Sequence, residues 1–200
     1  FPETALRLGA IGGRSYYTAG YNVTPYGNSD SVYIEGFTGI MGRLTDDVSV
    51  DIKTGFLYLD YKYGTDFHEP VIRIKVTDLI SYRTSLSAIY ERMAYDSVYS
   101  NFYVDEKVSM EFKSIIYDSM ASLSEFQYIY RYYRASPRRV DHRLGFITEL
   151  SIPLFVVKQL KENISFTTKF MAEWVNSDAY NSFGYYTGPD PSASYSKMVF

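Results

Sequence analysis

Apolar and polar residues alternate one by one along several segments of the chain. In residues 48–53 three apolar side chains alternate with Ser, Asp and Lys, and residues 108–113 and 164–174 repeat the scheme. Successive side chains of a β-strand point to opposite faces, so each segment has one apolar face and one charged face. The pattern predicts long antiparallel strands that are apolar on one side and polar on the other.

Turn signals divide the chain into about ten predicted strands. The first strand contains Gly12 and Gly13, which predict a bend or bulge. Predicted strand bounds include 4–23 for the first strand, 32–44 for the second, 107–118 for the sixth, 125–134 for the seventh, 163–176 for the ninth and 193–200 for the tenth. Short turns are predicted at 45–47, 77–78 and 119–124, with longer Gly-, Pro- and Asn-rich connections between them. This alternation is typical of outer-membrane barrels, which have short periplasmic turns and longer outer loops.

Composition limits how such a chain can meet a membrane. Its 200 residues are 46% hydrophobic, with a mean hydropathy of -0.19. No stretch approaches the roughly 20 apolar residues of a spanning helix, whereas barrel strands need only one apolar face. We therefore predict one all-β domain, residues 1–200, folded as an antiparallel up-and-down transmembrane β-barrel of about ten strands. The alternative is a soluble β-sandwich whose charged face is its outside.

The tyrosine content and the last residues favour the membrane interpretation. The chain has 22 Tyr, a residue enriched at membrane–water interfaces. It ends in Phe200 with Met198 two positions before, although Ser192, Ser194 and Ser196 depart from the alternation. In these respects the chain resembles Gram-negative bacterial outer-membrane β-barrel proteins as a class, and no specific family among them. The resemblance implies a location in the bacterial outer membrane, contacts with lipid and lipopolysaccharide, and handling by the barrel assembly machinery.

Aromatic residues also gather near the predicted outer ends of the strands. Such clustering predicts a girdle at the membrane interface. The residues are Tyr21, Tyr33, Tyr61, Tyr63, Tyr95, Tyr99, Tyr103, Tyr132, Tyr133 and Trp174.

If the apolar face meets lipid, the other face lines the lumen and carries charges of both signs. Acids and bases there can pair across strands, which reduces the cost of burying them. In a barrel of about ten strands the interior is narrow and mostly filled by side chains. The predicted network comprises Arg7, Glu35, Arg43, Asp51, Lys53, Arg73, Lys75, Arg83, Glu91, Glu111, Lys113, Arg131, Arg143, Glu149, Lys169 and Glu173.

Catalytic chemistry has few candidates. The chain has two histidines, and Asp141 beside His142 suggests a carboxylate-oriented general base, with His68 as a second candidate. Loop histidines beside acids are more often simply solvated. The absence of cysteine excludes disulfides and thiolate metal sites, and no cofactor or metal site is predicted. A net charge of -3 gives no reason to expect a nucleic-acid partner.

The predicted outer loops carry the candidate contact residues. Arginine forks suit phosphate groups such as those of lipopolysaccharide, and exposed loop aromatics often mark recognition of a protein partner. These residues are Arg138, Arg139, Tyr180, Tyr185 and Tyr186.

We predict an outer-membrane protein with a structural, binding or narrow-pore role rather than an enzyme. The alternatives are an outer-membrane hydrolase that uses a loop histidine and a soluble extracellular carbohydrate-binding β-sandwich.

Overall fold

All regular secondary structure in the described part of the chain is β-strand. A computed structural model describes residues 4–16, 30–96, 102–117, 120–133, 138–157, 162–180, 186–189 and 195–199. Its strands are β1 (Thr4–Ser15), β2 (Ser31–Arg43), β3 (Val48–Tyr61), β4 (Phe67–Ser81), β5 (Thr84–Asp96), β6 (Phe102–Tyr117), β7 (Met120–Tyr133), β8 (Arg138–Val157), β9 (Glu162–Tyr180), β10 (Tyr186–Pro189) and β11 (Tyr195–Val199). These residues form no helix long and apolar enough to cross a membrane.

The strands form one antiparallel sheet in chain order. Each strand from β1 to β9 pairs with the next, and β10 and β11 both pair with β9. The prediction of an all-β antiparallel sheet in chain order is therefore confirmed. Among the described residues β1 pairs only with β2, so the sheet is not closed and the predicted barrel is not shown. We call the end that carries the β2–β3, β4–β5, β6–β7 and β8–β9 connections the turn end, and the opposite end the loop end.

Two predicted turns are misplaced. Residues 77–78 lie inside β4, where Asp78 pairs with Val48 and Leu86, and the chain turns at Tyr82 and Arg83 instead. The predicted turn at 119–124 is also too long, because β7 begins at Met120. Polar residues can continue a strand when its neighbours on both sides supply backbone hydrogen bonds, and local turn propensity does not detect this.

The register places odd-numbered and even-numbered residues on two different faces. Lys53 lies opposite both Gly39 and Arg73, and Glu91 lies opposite both Arg73 and Lys107. Directly opposed residues in an antiparallel pair point to the same side of the sheet. The unshifted register therefore carries one odd face and one even face from β1 to β9, with irregularities only near the turn end.

Glycines in β1 make room for aromatic rings. The prediction of a bulge at Gly12 and Gly13 is wrong, since β1 pairs with β2 in unbroken register. A Cβ added to Gly13 would lie 2.6 Å from the Tyr33 ring, and one added to Gly9 would lie 2.6 Å from the Phe37 ring. These glycines thus let two large side chains of β2 lie across β1 on the odd face.

The buried core lies at the loop end, where two parts of the sheet overlap. Pairing of β4 with β5 ends at Ile72 and Arg92. Beyond this point the last residues of β5, together with the first residues of β6 that pair with them, separate from β4. Even-face Phe102 then packs on odd-face Phe67, with ring centroids 5.2 Å apart. The full cluster comprises Leu57, Leu59, Tyr61, Phe67, Val71, Ala94, Phe102 and Val104, with Tyr33, Met93 and Tyr132 against it.

Candidate functional site: the charged odd face

Every charged residue of the predicted lumen network lies at an odd-numbered position, and the structure joins many of them. Lys53 Nζ lies 2.5 Å from Glu35 Oε1, and Arg73 Nε lies 3.6 Å from Glu91 Oε2. These pairs bridge neighbouring strands, as the alternation predicts. Glu35 is buried, so its ion pair with Lys53 offsets the cost of placing a carboxylate away from water.

Further ion pairs on this face involve residues at predicted strand ends. Lys107 Nζ lies 2.8 Å from Glu125 Oε1, although neither was assigned to the network. Arg143 Nη2 lies 2.6 Å from Glu173 Oε1. Lys107 and Glu125 also have odd numbers. Extending the odd-numbered face to the ends of the predicted strands would therefore have included both.

The other residues of the predicted network differ in the partners that the structure gives them. Arg7 pairs with Asp51 across β2. Glu149 and Lys169 are directly opposed in β8 and β9, yet no ion pair joins these two described side chains. Arg43 lines a cavity at the turn end.

The loop end of the odd face holds two bidentate arginine–aspartate pairs, of which the first joins β6 and β7. Arg131 donates from Nε and Nη2 to the two Asp105 carboxylate oxygens at 2.7 and 2.8 Å. Its guanidinium lies 3.7 Å from the centroid of the Tyr103 ring. A fork-to-fork pair stacked on an aromatic ring fixes both side chains in one geometry.

The second pair lies in β8, and its aspartate is the more deeply buried of the two aspartates. Arg139 Nε and Nη2 donate to Asp141 at 2.6 and 2.8 Å. Ser177 Oγ donates to Asp141 Oδ1 at 2.7 Å, and Tyr133 Oη donates to Oδ2 at 3.5 Å. Asp141 is 2% exposed and Ser177 is 0% exposed. We call Asp105, Arg131, Arg139, Asp141 and Ser177 the loop-end clamp.

The clamp changes the role of one predicted contact residue, Arg139, and leaves the others undecided. Arg139 is engaged on the odd face and is not a loop residue, because β8 begins at Arg138. Arg138 and Tyr180 are paired positions of β8 and β9, and Tyr186 pairs with Tyr180 from β10. Tyr185 lies outside the described residues.

Asp141 and His142 do not form a catalytic pair. As consecutive residues of β8 they lie on opposite faces, and Asp141 is bound by Arg139. His142 Nδ1 instead lies 2.8 Å from Tyr128 Oη, and its ring meets the Tyr130 ring edge-on at 5.4 Å. The arrangement supplies no carboxylate to orient the imidazole.

His68 lies beside two carboxylates at the tip of the β3–β4 hairpin. Its Nε2 is 2.7 Å from Asp60 Oδ1, and Asp66 Oδ1 accepts a hydrogen bond from the Tyr61 backbone N–H at 2.8 Å. Donor atoms of Asp60, Asp66 and His68 lie within 4.8 Å of one another, close enough to share one divalent cation. All three residues are exposed, and solvated charges account for the grouping equally well.

The even face is apolar over a broad band. Large apolar side chains there are exposed, with Leu8 at 89% and Leu6 at 79%. The even-numbered positions within 6–12, 32–42, 48–58, 70–76, 84–90, 108–114, 122–130, 140–152 and 166–176 contain no Asp, Glu, Lys or Arg. Charged even-face residues border this band, since Asp78 lies opposite Val48 and Leu86, and Arg92 lies opposite Ile72.

Most described residues of the predicted aromatic girdle lie on the charged face and not on this one. Tyr33, Tyr61, Tyr95, Tyr103 and Tyr133 are strand residues with odd numbers, and Tyr61 and Tyr133 are buried. Tyr132 packs against the buried core, and Tyr21 and Tyr99 lie outside the described residues. Trp174 has an even number and is exposed on the apolar face. The predicted girdle ignored strand parity, and parity decides which face each ring occupies.

No protein-family model, curated protein or solved structure matches the chain. Function is therefore argued from the two faces of the sheet. One face offers paired charges and a closed clamp, and the other offers an uncharged apolar band.

Proposed function

We propose that the sheet closes into an outer-membrane β-barrel, with the even face toward lipid and the odd face toward the lumen. The uncharged even-face band carries this proposal. In β3 it runs from Val48 to Tyr58, which is about 33 Å along a strand rising about 3.3 Å per residue. A strand tilted by about 40° then gives a band about 25 Å tall at β3, the height of the apolar belt of outer-membrane barrels. On β4, β5 and β6 the uncharged run is shorter, about 15 Å tall by the same conversion.

The amount of exposed apolar surface is unfavourable for a protein surrounded by water. Soluble monomers rarely expose contiguous apolar patches larger than a few hundred Å², and here exposed apolar side chains occur on every strand from β1 to β4 and from β6 to β9. The even-face members within the uncharged band are Leu6, Leu8, Val32, Ile34, Ile40, Ile52, Phe56, Tyr58, Val76, Val108, Met110, Phe112, Phe126, Tyr128, Leu144, Phe166 and Trp174. Lipid contact accounts for them all.

The proposed role is structural or binding, with the lumen filled by charge pairs. Cross-strand pairs such as Lys53–Glu35 and Arg143–Glu173 occupy the space that a wide channel would need. In a closed barrel the clamp would add two further charge pairs to the lumen at the loop end, so we expect any conduction to be narrow. The loops then face outward, where they contact lipopolysaccharide or a protein partner, and assembly relies on the barrel assembly machinery of Gram-negative bacteria.

Closure predicts that β1 lies beside β11. The chain contains no cysteine, so any disulfide that forms must join the two introduced cysteines. We expect at least one of the four combinations of Leu6→Cys or Leu8→Cys with Ser196→Cys or Met198→Cys to form a disulfide, because bridged Cα atoms must lie about 4.4–6.8 Å apart. Non-reducing gel migration and peptide mass spectrometry report the bond.

The matched control for closure pairs Met198→Cys with Val108→Cys in β6, on a distant part of the sheet. Closure is contradicted if the folded protein forms none of the four β1–β11 bridges, or if the control bridge forms equally well.

The lipid-facing assignment predicts a large cost for a charge in the middle of the even face. Met110→Arg should destabilise the protein by about 2–4 kcal/mol in a bilayer, the cost of Arg near the midplane of a barrel's lipid face. Folding into lipid vesicles is measured by the different gel migration of unheated and heated samples. The control is Asp46→Arg in the exposed β2–β3 turn, which should fold like the unmodified protein. Equal folding of the two variants would exclude lipid contact at Met110.

A soluble β-sandwich is a second candidate, and the core at the loop end favours it. There the β5–β6 end lies over β3 and β4, with Phe67 and Val104 at 0% exposure, as in two packed layers. Under this candidate the protein dissolves without detergent and tolerates Met110→Arg within about 0.5 kcal/mol, as surface positions do. The hydrolase alternative receives no support from Asp141 and His142, which lie on opposite faces.

A further inference from the structure

The turn end of the odd face contains two cavities. One has a volume of about 380 Å³, and its lining includes Arg83, Ser85 and Lys113. The other has a volume of about 570 Å³ and is lined by residues that include Arg43 and Lys75. Their linings come from β4 to β8 and from β1 to β4 respectively, so neither cavity depends on closure of the sheet or on a membrane.

A charge cluster lies between the two cavities. Lys75 Nζ is 2.9 Å and Lys113 Nζ is 3.1 Å from the same oxygen of Glu111, Oε1. Two ammonium groups share one carboxylate, so the cluster carries one excess positive charge. Lys75 lines the larger cavity and Lys113 lines the smaller one. The Glu111 side chain is 14% exposed and that of Lys113 is 53% exposed, so the excess charge is accessible from the cavity.

The remaining charged lining groups have both signs and leave the excess charge of the cluster in place. Each cavity has a second cationic residue, Arg43 in the larger and Arg83 in the smaller, and one acid. The acid lining the larger cavity, Asp51, is already paired with Arg7, and Glu149 is the acid lining the smaller one. Hydroxyl groups complete both walls, among them Ser49, Thr77, Ser85 and Ser151.

We propose that this turn-end region, centred on Lys75, Glu111 and Lys113, binds a small organic anion through a carboxylate or phosphate group. Ammonium groups and hydroxyls are the donors that such oxygens accept, and a cavity with low-dielectric walls concentrates ions of the opposite sign. Both cavities lie at the turn end, so the anion enters from that end. In the proposed outer-membrane orientation that end faces the periplasm.

The test uses a single cysteine at Ser85, which lines the smaller cavity. In a neutral detergent, rates of modification by anionic and cationic methanethiosulfonates of similar size are compared with those at Thr45→Cys, in an exposed turn. We expect the anionic-to-cationic rate ratio to be about threefold or more higher at position 85, because local potential changes local ion concentration. Adding Lys113→Gln should bring the ratio near that at position 45, since Lys75 and Glu111 then balance.

Competition identifies the head group. Inorganic phosphate or acetate should slow modification at position 85 and not at position 45, while glycerol, which is neutral, should not. The control variant is Lys62→Gln, an exposed lysine at the β3–β4 tip, which should leave the ratio unchanged. The proposal is overturned by equal ratios at positions 85 and 45, by a ratio insensitive to Lys113→Gln, or by the absence of slowing with both anions. These outcomes leave the membrane proposal untouched, because they are measured on protein already folded in detergent.

Discussion

Replacing Asp141 with Ala is expected to lower the free energy of unfolding by about 3–5 kcal/mol, the usual cost of removing one partner of a buried ion pair. The carboxylate receives hydrogen bonds from Arg139, Ser177 and Tyr133. Without it, the Arg139 guanidinium keeps its charge next to a 0% exposed Ser177. The replacement leaves these donors without their shared acceptor, which is more costly than the loss of one hydrogen bond.

The Asp141 prediction is checked by urea unfolding of the folded protein in detergent or lipid. Asp60→Ala is the matched control, because the Asp60 side chain is 65% exposed and its ion pair is with His68 at the surface. An exposed pair of this kind contributes about 0–1 kcal/mol. If the two variants lose the same stability, the clamp does not hold the loop end together.

Replacing Phe67 with Ala is the second change expected to have a large effect. Its side chain is 0% exposed and packs edge-on against Phe102. Truncating a buried Phe typically costs about 3–5 kcal/mol, through lost burial and the cavity that remains. The overlap of the β5–β6 end with β4 depends on this contact, because β4 and β5 are no longer paired there.

The comparison for Phe67 is Phe112→Ala, which removes the same side chain from the even face, where it is 41% exposed. In detergent the Phe112 variant should lose much less stability, since micelle and protein surroundings are similarly apolar. In the Phe67 variant, the rate of amide hydrogen exchange should increase more in β5 and β6 than in β7 and β8. Equal stability of both variants would contradict the assignment of Phe67 to the core.

The alternation in the sequence was enough to predict the strands and their two faces. Apolar and polar residues in segments such as 48–53 alternate with a period of two residues, which fits a strand and does not fit a helix. The charged face was predicted for the same reason, because Glu35, Lys53 and Arg73 obey the same parity in strands that pair without slip. The sequence also predicted that these charges would pair, since both signs are interleaved on one face.

Other features depended on contacts between residues far apart in sequence. Gly13 was predicted to bend β1, but it accommodates the ring of Tyr33 from the next strand. Arg139 looked like a loop arginine, and only the register of β8 placed it against Asp141. Asp141 and His142 are neighbours in sequence, and strand geometry separates them onto two faces.

The sequence by itself determined the all-β class, the antiparallel meander and the segregation of charged from apolar side chains, because each follows from a period of two residues along a strand. The tertiary structure alone decided which charges share a partner, as Lys75 and Lys113 share Glu111. It also decided that the loop end is packed while the turn end retains cavities. The packing arises where β5 leaves β4 and crosses over it, and no local pattern encodes the point at which two strands stop pairing.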